Sequence, residues 1–143
     1  MSSSGAVKAL IESAGLGLPA YRDAAPADRK DDLPYVTIDE NIAVVPERHG
    51  DKQDPNGHHG EQETMTIHLW ERFRNDAGRQ SEDFRLPREL SRLLRTSSFT
   101  YGSVGSGGVV RVYGVSITAR ARIIETDANV VHSTWTLALR RDA

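Results

Sequence analysis

The residues best suited to chemistry lie in the tract "VVPERHGDKQDPNGHHGE" (44–61), which holds three of the chain's five histidines among several carboxylates. His49, Asp51, Asp54, His58, His59 and Glu61 offer imidazole nitrogens and carboxylate oxygens, the donor types that bind zinc and related metals. A closed metal site also needs a rigid frame and partners that orient the ligands. Residues 47–61 have no hydrophobic periodicity and are rich in Gly, Asp, Asn and Pro, a composition that buries too little to order itself. The tract therefore reads as a flexible loop at about 47–61, with His49, Asp51, Asp54, His58 and His59 as contact residues that order on docking. A metal-dependent hydrolase or metal-binding module built on His49, Asp54, His58 and His59 is the rival of a different class.

Other candidates carry less chemistry. His68 sits on the polar face of an alternating run, where a histidine usually pairs across the sheet, and no neighbouring nucleophile gives it a general-base role. "GSVGSGG" (102–108) lacks the Gly-Lys-Ser/Thr ending of a phosphate loop and fits no dinucleotide fingerprint. Arg120 and Arg122, with Arg140 and Arg141 on the next strand, form a basic strip suited to a partner carboxylate, a lumen or solvent. No Ser-His-Asp order, paired-acid motif or HExxH occurs, so the chain reads as a non-enzyme with no cofactor.

The elements that position these residues follow from periodicity. Val7, Leu10, Ile11 and Ala14 recur at helical spacing, with Ser4 as cap and Gly15 as terminator, so a short helix is expected at about 4–14. Residues 16–32 read as a connector with turns at Pro19 and Pro26, anchored by Tyr21. "LPYVTIDENIAVVPE" suggests strands at 34–38 and 41–45, the second closed by Pro46. In "TMTIHLWERF", Met65, Ile67 and Leu69 alternate with Thr66, His68 and Trp70, the period of a half-buried strand. After a turn at 75–80, Ser81 can cap a helix in which Phe84, Leu86, Leu90, Leu93 and Leu94 share a side, with Pro87 either in its first turn or at a kink.

Two long strands are expected at 109–125 and 130–141, joined by "TDAN". Val115, Ile117, Ala119, Ala121 and Ile123 share one face of the first; Val131, Trp135, Leu137 and Leu139 share one face of the second. At about 3.3 Å per residue such strands exceed what a small domain needs, which implies a protruding hairpin or a sheet shared with neighbours. Met65, Ile67, Leu69, Trp135, Leu137 and Leu139 are the candidate core. The fold class is α+β: a small single domain spanning 1–143, an antiparallel β-sheet with two helices packed on it and a long β-hairpin.

Bulk properties bound the function. A chain of 143 residues with 38 % hydrophobic content suits one core. Its 27 % charged residues and mean hydropathy of −0.49 lean toward loops, surfaces and polar contacts between subunits. A net charge of −2 gives no bulk pull on nucleic acid. The absence of cysteine excludes disulfides, Cys-ligated zinc and thiol nucleophiles. No leader or apolar span is evident, so a soluble, unprocessed protein is expected, with no membrane partner.

Three pieces carry a family resemblance: "DAAP" (23–26) before "PYVTI" (34–38), "TMTIHLWER" (64–72), and the leucine-rich "PRELSRLLR" that follows. In this order, spanning about 20–95 and more loosely the final strands, the chain resembles the tail-completion or tail-terminator proteins of long-tailed bacteriophages. The motifs are structural patterns and carry no catalytic signature. The resemblance implies a small α/β domain that closes into a ring, commonly a homohexamer, at the head-proximal end of the tail tube. Its implied partners are itself, the tail tube protein and the head-completion or connector proteins, with DNA only passing through the lumen. Its implied location is the virion tail, and the host cytoplasm during assembly. A head-tail connector or adaptor of the phage neck is the nearest alternative. Within this reading the 47–61 loop docks on tube or connector, and Arg120 and Arg122 face a neighbour or the lumen.

Overall fold

The computed structural model describes residues 3–48, 59–74, 84–96, 99–102 and 109–142. The chain runs α1 (Ser3–Ser13), β1 (Ala20–Arg22), β2 (Tyr35–Arg48), β3 (His59–Arg72), α2 (Arg85–Thr96), β4 (Phe99–Gly102), β5 (Val109–Glu125) and β6 (Val130–Asp142). The strands make one sheet in the order β1-β2-β3-β6-β5-β4. It is mixed: β1 runs parallel to β2, and every other pairing is antiparallel. The fold is thus a small α+β domain with two helices on a sheet.

Both helices cover the same face. Val7 and Ile11 of α1 and Leu86, Leu90 and Leu94 of α2 meet Val36, Ile38, Met65, Ile67, Leu69, Trp135, Leu137 and Leu139 in one cluster. All six residues expected in the core are buried, none more than 2 % exposed. Period-two alternation produces this directly, since every second side chain of β3 and β6 meets the helices and the others stand on the opposite face. Gly15, at φ +75°, supplies the left-handed residue just after α1. Pro87 lies in the first turn of α2, where its missing N–H disturbs no helical bond. Phe84 precedes the helix and is 45 % exposed, so it is no part of the core stripe.

Several boundaries differ from the reading of the sequence. The two strands expected at 34–38 and 41–45 are one strand, which continues past Pro46 to Arg48 and absorbs the polar interruption as an irregularity between Asn41 and Val44. The ends of the loop expected at 47–61 are strand, since Glu47 pairs with Gly60 and Arg48 with His59, and residues 49–58 lie outside the described residues. The connector conceals β1, whose three residues are too few for a periodic signal. Its Tyr21 is anchored as expected, edge-on to Tyr35 with ring centroids 5.8 Å apart. The Gly-rich stretch after α2 includes β4, paired with Val109–Val112. β6 lies between β3 and β5 along its length, so the long β5–β6 pair is built into the sheet.

β5 breaks strict alternation. Ile117 pairs with Leu137 but Ala119 pairs with Thr136, leaving Thr118 as an extra residue, a β-bulge. The Thr118 hydroxyl donates to the Thr136 carbonyl at 3.2 Å. Beyond the bulge the faces exchange. Ala119, Ala121 and Ile123 leave the helix side, while Arg120 and Arg122 join it opposite Trp135 and Ser133.

Candidate functional site: an arginine-lined groove and a histidine array

The faces of the sheet carry two different constellations. On the helix side, a groove of about 760 Å³ opens between α2 and the outer half of β5. Its walls are Arg88, Arg92 and Arg95 from α2 and Arg120 and Arg122 from β5, and among the described residues no carboxylate lines it. The helix supplies its three at i, i+4 and i+7, the flank beside the buried Leu86, Leu90 and Leu94. The strand supplies its two at i and i+2 on the side to which the bulge turns them. A second concavity of about 510 Å³ shares Arg95 and Arg120 and continues along β5 to Val115.

The floor of the groove is rigid. Trp135 is 2 % exposed, and its indole Nε1–H donates to Ser91 Oγ at 2.7 Å, tying β6 to α2. Burying the indole leaves its N–H needing a partner, which the equally buried Ser91 provides. The Arg122 guanidinium lies over the Phe84 ring, 4.7 Å from its centroid. Guanidinium groups on such a floor suit planar oxyanions, which accept paired N–H bonds from the Arg fork.

On the face opposite the helices, bare among the described residues, His68 and His132 meet across β3 and β6. His68 Nδ1 and His132 Nε2 are 2.5 Å apart, and His68 Nε2 lies 2.6 Å from Asp39 Oδ2 of β2. Trp70 stacks on His132 with centroids 3.9 Å apart and donates from Nε1 to Thr37 Oγ1 at 3.0 Å. Burial, with the His68 charge second, lowers the His132 pKa from its ordinary value. The array is an Asp–His–His chain, and the cross-strand pairing expected of His68 is present. A relay of this kind becomes catalytic only beside a nucleophile or bound water in line with the outer imidazole.

Of the residues singled out in the sequence, His49, Asp51, Asp54 and His58 lie outside the described residues. His59 opens β3 opposite Arg48. Among the described residues, no group of three His, Cys, Asp or Glu side chains is placed to hold a metal ion. The four-arginine strip does not form. Arg140 and Arg141 pair with Gly114 and Val112, about 17 Å along the strand from the level of Arg120 at ~3.4 Å per residue. Arg120 and Arg122 join α2 instead. That stripe was present in "RELSRLLR" as arginines at helical spacing, but only the bulge, absent from any composition signal, brings the two sets together.

No protein-family model matches the chain, and no curated protein matches it. Among the described residues, no helix is long and apolar enough to cross a membrane.

Proposed function

We propose that the chain is a structural virion protein, a ring-forming tail terminator that caps the tail tube of a long-tailed phage and joins it to the head-completion proteins. The observation that carries this reading is that one small layer leaves three unlike surfaces unpartnered among the described residues. The first is the bare sheet face with its Trp70, His68 and His132 stack. The second is the edge of β2 beyond Ile38, because β1 covers only Val36–Ile38. The third is the edge of β5 beyond Val112, because β4 stops there. The two open edges lie on opposite sides of the sheet and are offset along it: that of β2 is level with Thr136–Asp142 of β6, and that of β5 runs from the level of Arg140 to that of Val130.

A subunit that closes a ring by head-to-tail contacts needs two unlike patches for its neighbours, and a terminator needs a further patch for the tube or connector. Exposed strand edges on a lone domain invite pairing with another chain, so surfaces of this kind are best explained by a partner. The order of sequence motifs from "DAAP" through "PRELSRLLR" supplies the phage context. In this role the ring sits at the head-proximal end of the tail, DNA passes through its lumen, and no catalysis is required.

Mass photometry of the purified chain, alone and with the tail-tube protein from the same genome, followed by negative-stain imaging, tests the proposal. Closed rings, or tubes whose length the chain fixes, are expected. Monomers that leave tube polymerisation unchanged would remove it.

A further inference from the structure

We infer that the outer half of β5, with the arginine groove behind it, is a docking site for an extended acidic segment of a partner protein. This segment adds as a strand to the β5 edge and places carboxylates at alternate positions on Arg120 and Arg122. Two independent features of one stretch of chain meet here. From Val115 to Glu125, β5 is paired with β6 on one side only among the described residues, so its outward N–H and C=O groups are available to an added strand. Over the same residues, the helix side presents Arg120 and Arg122 next to Arg88 and Arg95, with no carboxylate in the lining among the described residues.

The stereochemistry joins the two features. A strand added to β5 sends every second side chain to the helix side, with Cβ atoms directly opposite about 4.5–5.5 Å apart. Residues at i and i+2 of that strand therefore meet Arg120 and Arg122, and acidic side chains there can accept the paired N–H bonds of the guanidinium fork. Arg88 and Arg95 lie across the groove on one flank of α2, about two helical turns apart, and face the same groove from the helix. Arg92 already has a partner within the protein and is not needed for the recognition. Main-chain pairing supplies affinity, and the alternating carboxylates supply register and selectivity.

A second copy of this chain is a poorer occupant. Glu61 and Glu63 alternate on β3, which is paired on both sides, Glu125 and Asp127 alternate where β5 gives way to a turn, and the open half of β2 (39–48) carries no acids at alternate positions. In a terminator ring the presenter is an axial partner, the tube or a connector protein. That identification rests on the ring reading, whereas the edge and the groove do not.

The test is fluorescence anisotropy of the full chain with a labelled peptide of alternating threonine and glutamate, about nine residues long to match the edge at ~3.3 Å per residue. Two probes accompany it: a peptide of the same composition with the glutamates in adjacent pairs, and an oligothymidylate of equal charge. Saturable binding of the alternating peptide is expected, weaker at higher salt. The paired-glutamate peptide should bind about tenfold less well, as should the alternating peptide with the R120A/R122A chain, the scale of losing charge-assisted pairs. An unchanged unfolding midpoint for that variant excludes a folding defect, because both arginines are exposed.

Absence of saturable peptide binding would overturn the inference. So would binding that survives the double substitution, or oligothymidylate binding tighter than the peptide and lost with the same arginines, which would assign the groove to nucleic-acid phosphate. If R120A/R122A self-associates while still binding the peptide, the arginines only guard the edge against self-pairing, and the inference again fails. Peptide binding by a chain that forms no rings would remove the ring reading alone.

Discussion

Arg120 stands directly opposite Trp135 across the β5–β6 ladder, where uninterrupted alternation from Val115 and Ile117 would place an alanine. The bulge at Thr118 causes the exchange: the same residues paired without a bulge would put Thr118 opposite Thr136 and present alanines to α2 and arginines to the bare face. A charged pair of side chains beside the core is tolerated because both arginines remain exposed at the sheet's edge, where their heads keep their water.

Thr118 is therefore dispensable for pairing. Its deletion leaves Ile117 opposite Leu137 and Ala119 opposite Thr136, so folding should persist at a cost of about 1 kcal/mol for the lost hydroxyl bond to Thr136. Deleting Thr134 from the central strand β6 should instead abolish folding. It would turn the buried Val131 and Ser133 to the bare face and His132 toward the helices. Urea unfolding followed by circular dichroism separates the two outcomes.

How far the sequence discloses this molecule depends on the range of the signal. Met65–Leu69 and Val131–Leu139 announce themselves by period two, and Leu86, Leu90 and Leu94 by the helical period, so the core was legible. β1 was not, because three residues gain strand character only from pairing with Val36–Ile38. The groove was half legible: Arg88, Arg92 and Arg95 lie at helical spacing, but their meeting with Arg120 and Arg122 depends on a one-residue bulge that propensity does not mark. The histidine array shows the same limit. His68 could be assigned to a cross-strand role, yet its contacts with Asp39 and His132 join positions 29 and 64 residues away in the chain.

The bond from Trp135 to Ser91 ties the helix that carries three of the groove's arginines to the strand beneath it. Ser91→Ala leaves a buried indole N–H without a partner and should cost about 1–3 kcal/mol. Trp135→Phe removes the donor but also volume, and should cost at least as much. Because the two substitutions abolish the same bond, their effects should fall short of additive in a double-mutant cycle measured by urea unfolding.

Asn129 closes the β5–β6 turn and also holds the end of β3. Its backbone is left-handed at φ 54°, its side chain accepts from Arg74 N at 2.7 Å and donates to Arg74 O at 3.1 Å, and its carbonyl accepts from Phe73 N. Asn129→Gly keeps the conformation and loses the two side-chain bonds, a cost of roughly 1–3 kcal/mol. Asn129→Ala loses the same bonds and adds the left-handed penalty of about 1–2 kcal/mol, so the thermal midpoints should rank wild type, Gly, then Ala.

His132 should make stability fall in mild acid. Burial and the neighbouring His68 hold its folded pKa below the ordinary 6.5, against the weaker opposing pull of Glu125 and Asp39. Between the lowered folded value and 6.5 the unfolded chain binds a proton that the folded chain does not, so acid favours unfolding there. The loss begins as pH drops through about 6.5 and is complete once pH lies below the folded value; above 6.5 this group contributes no slope. His132→Phe retains an aromatic ring for Trp70 to stack on and removes the titration. Denaturant midpoints measured from pH 7.5 down to pH 5 should therefore fall more steeply for the wild type than for the variant. Parallel profiles would show that His132 gains its proton as easily in the folded chain as in the unfolded one, and that the array on the bare face does not hold it neutral.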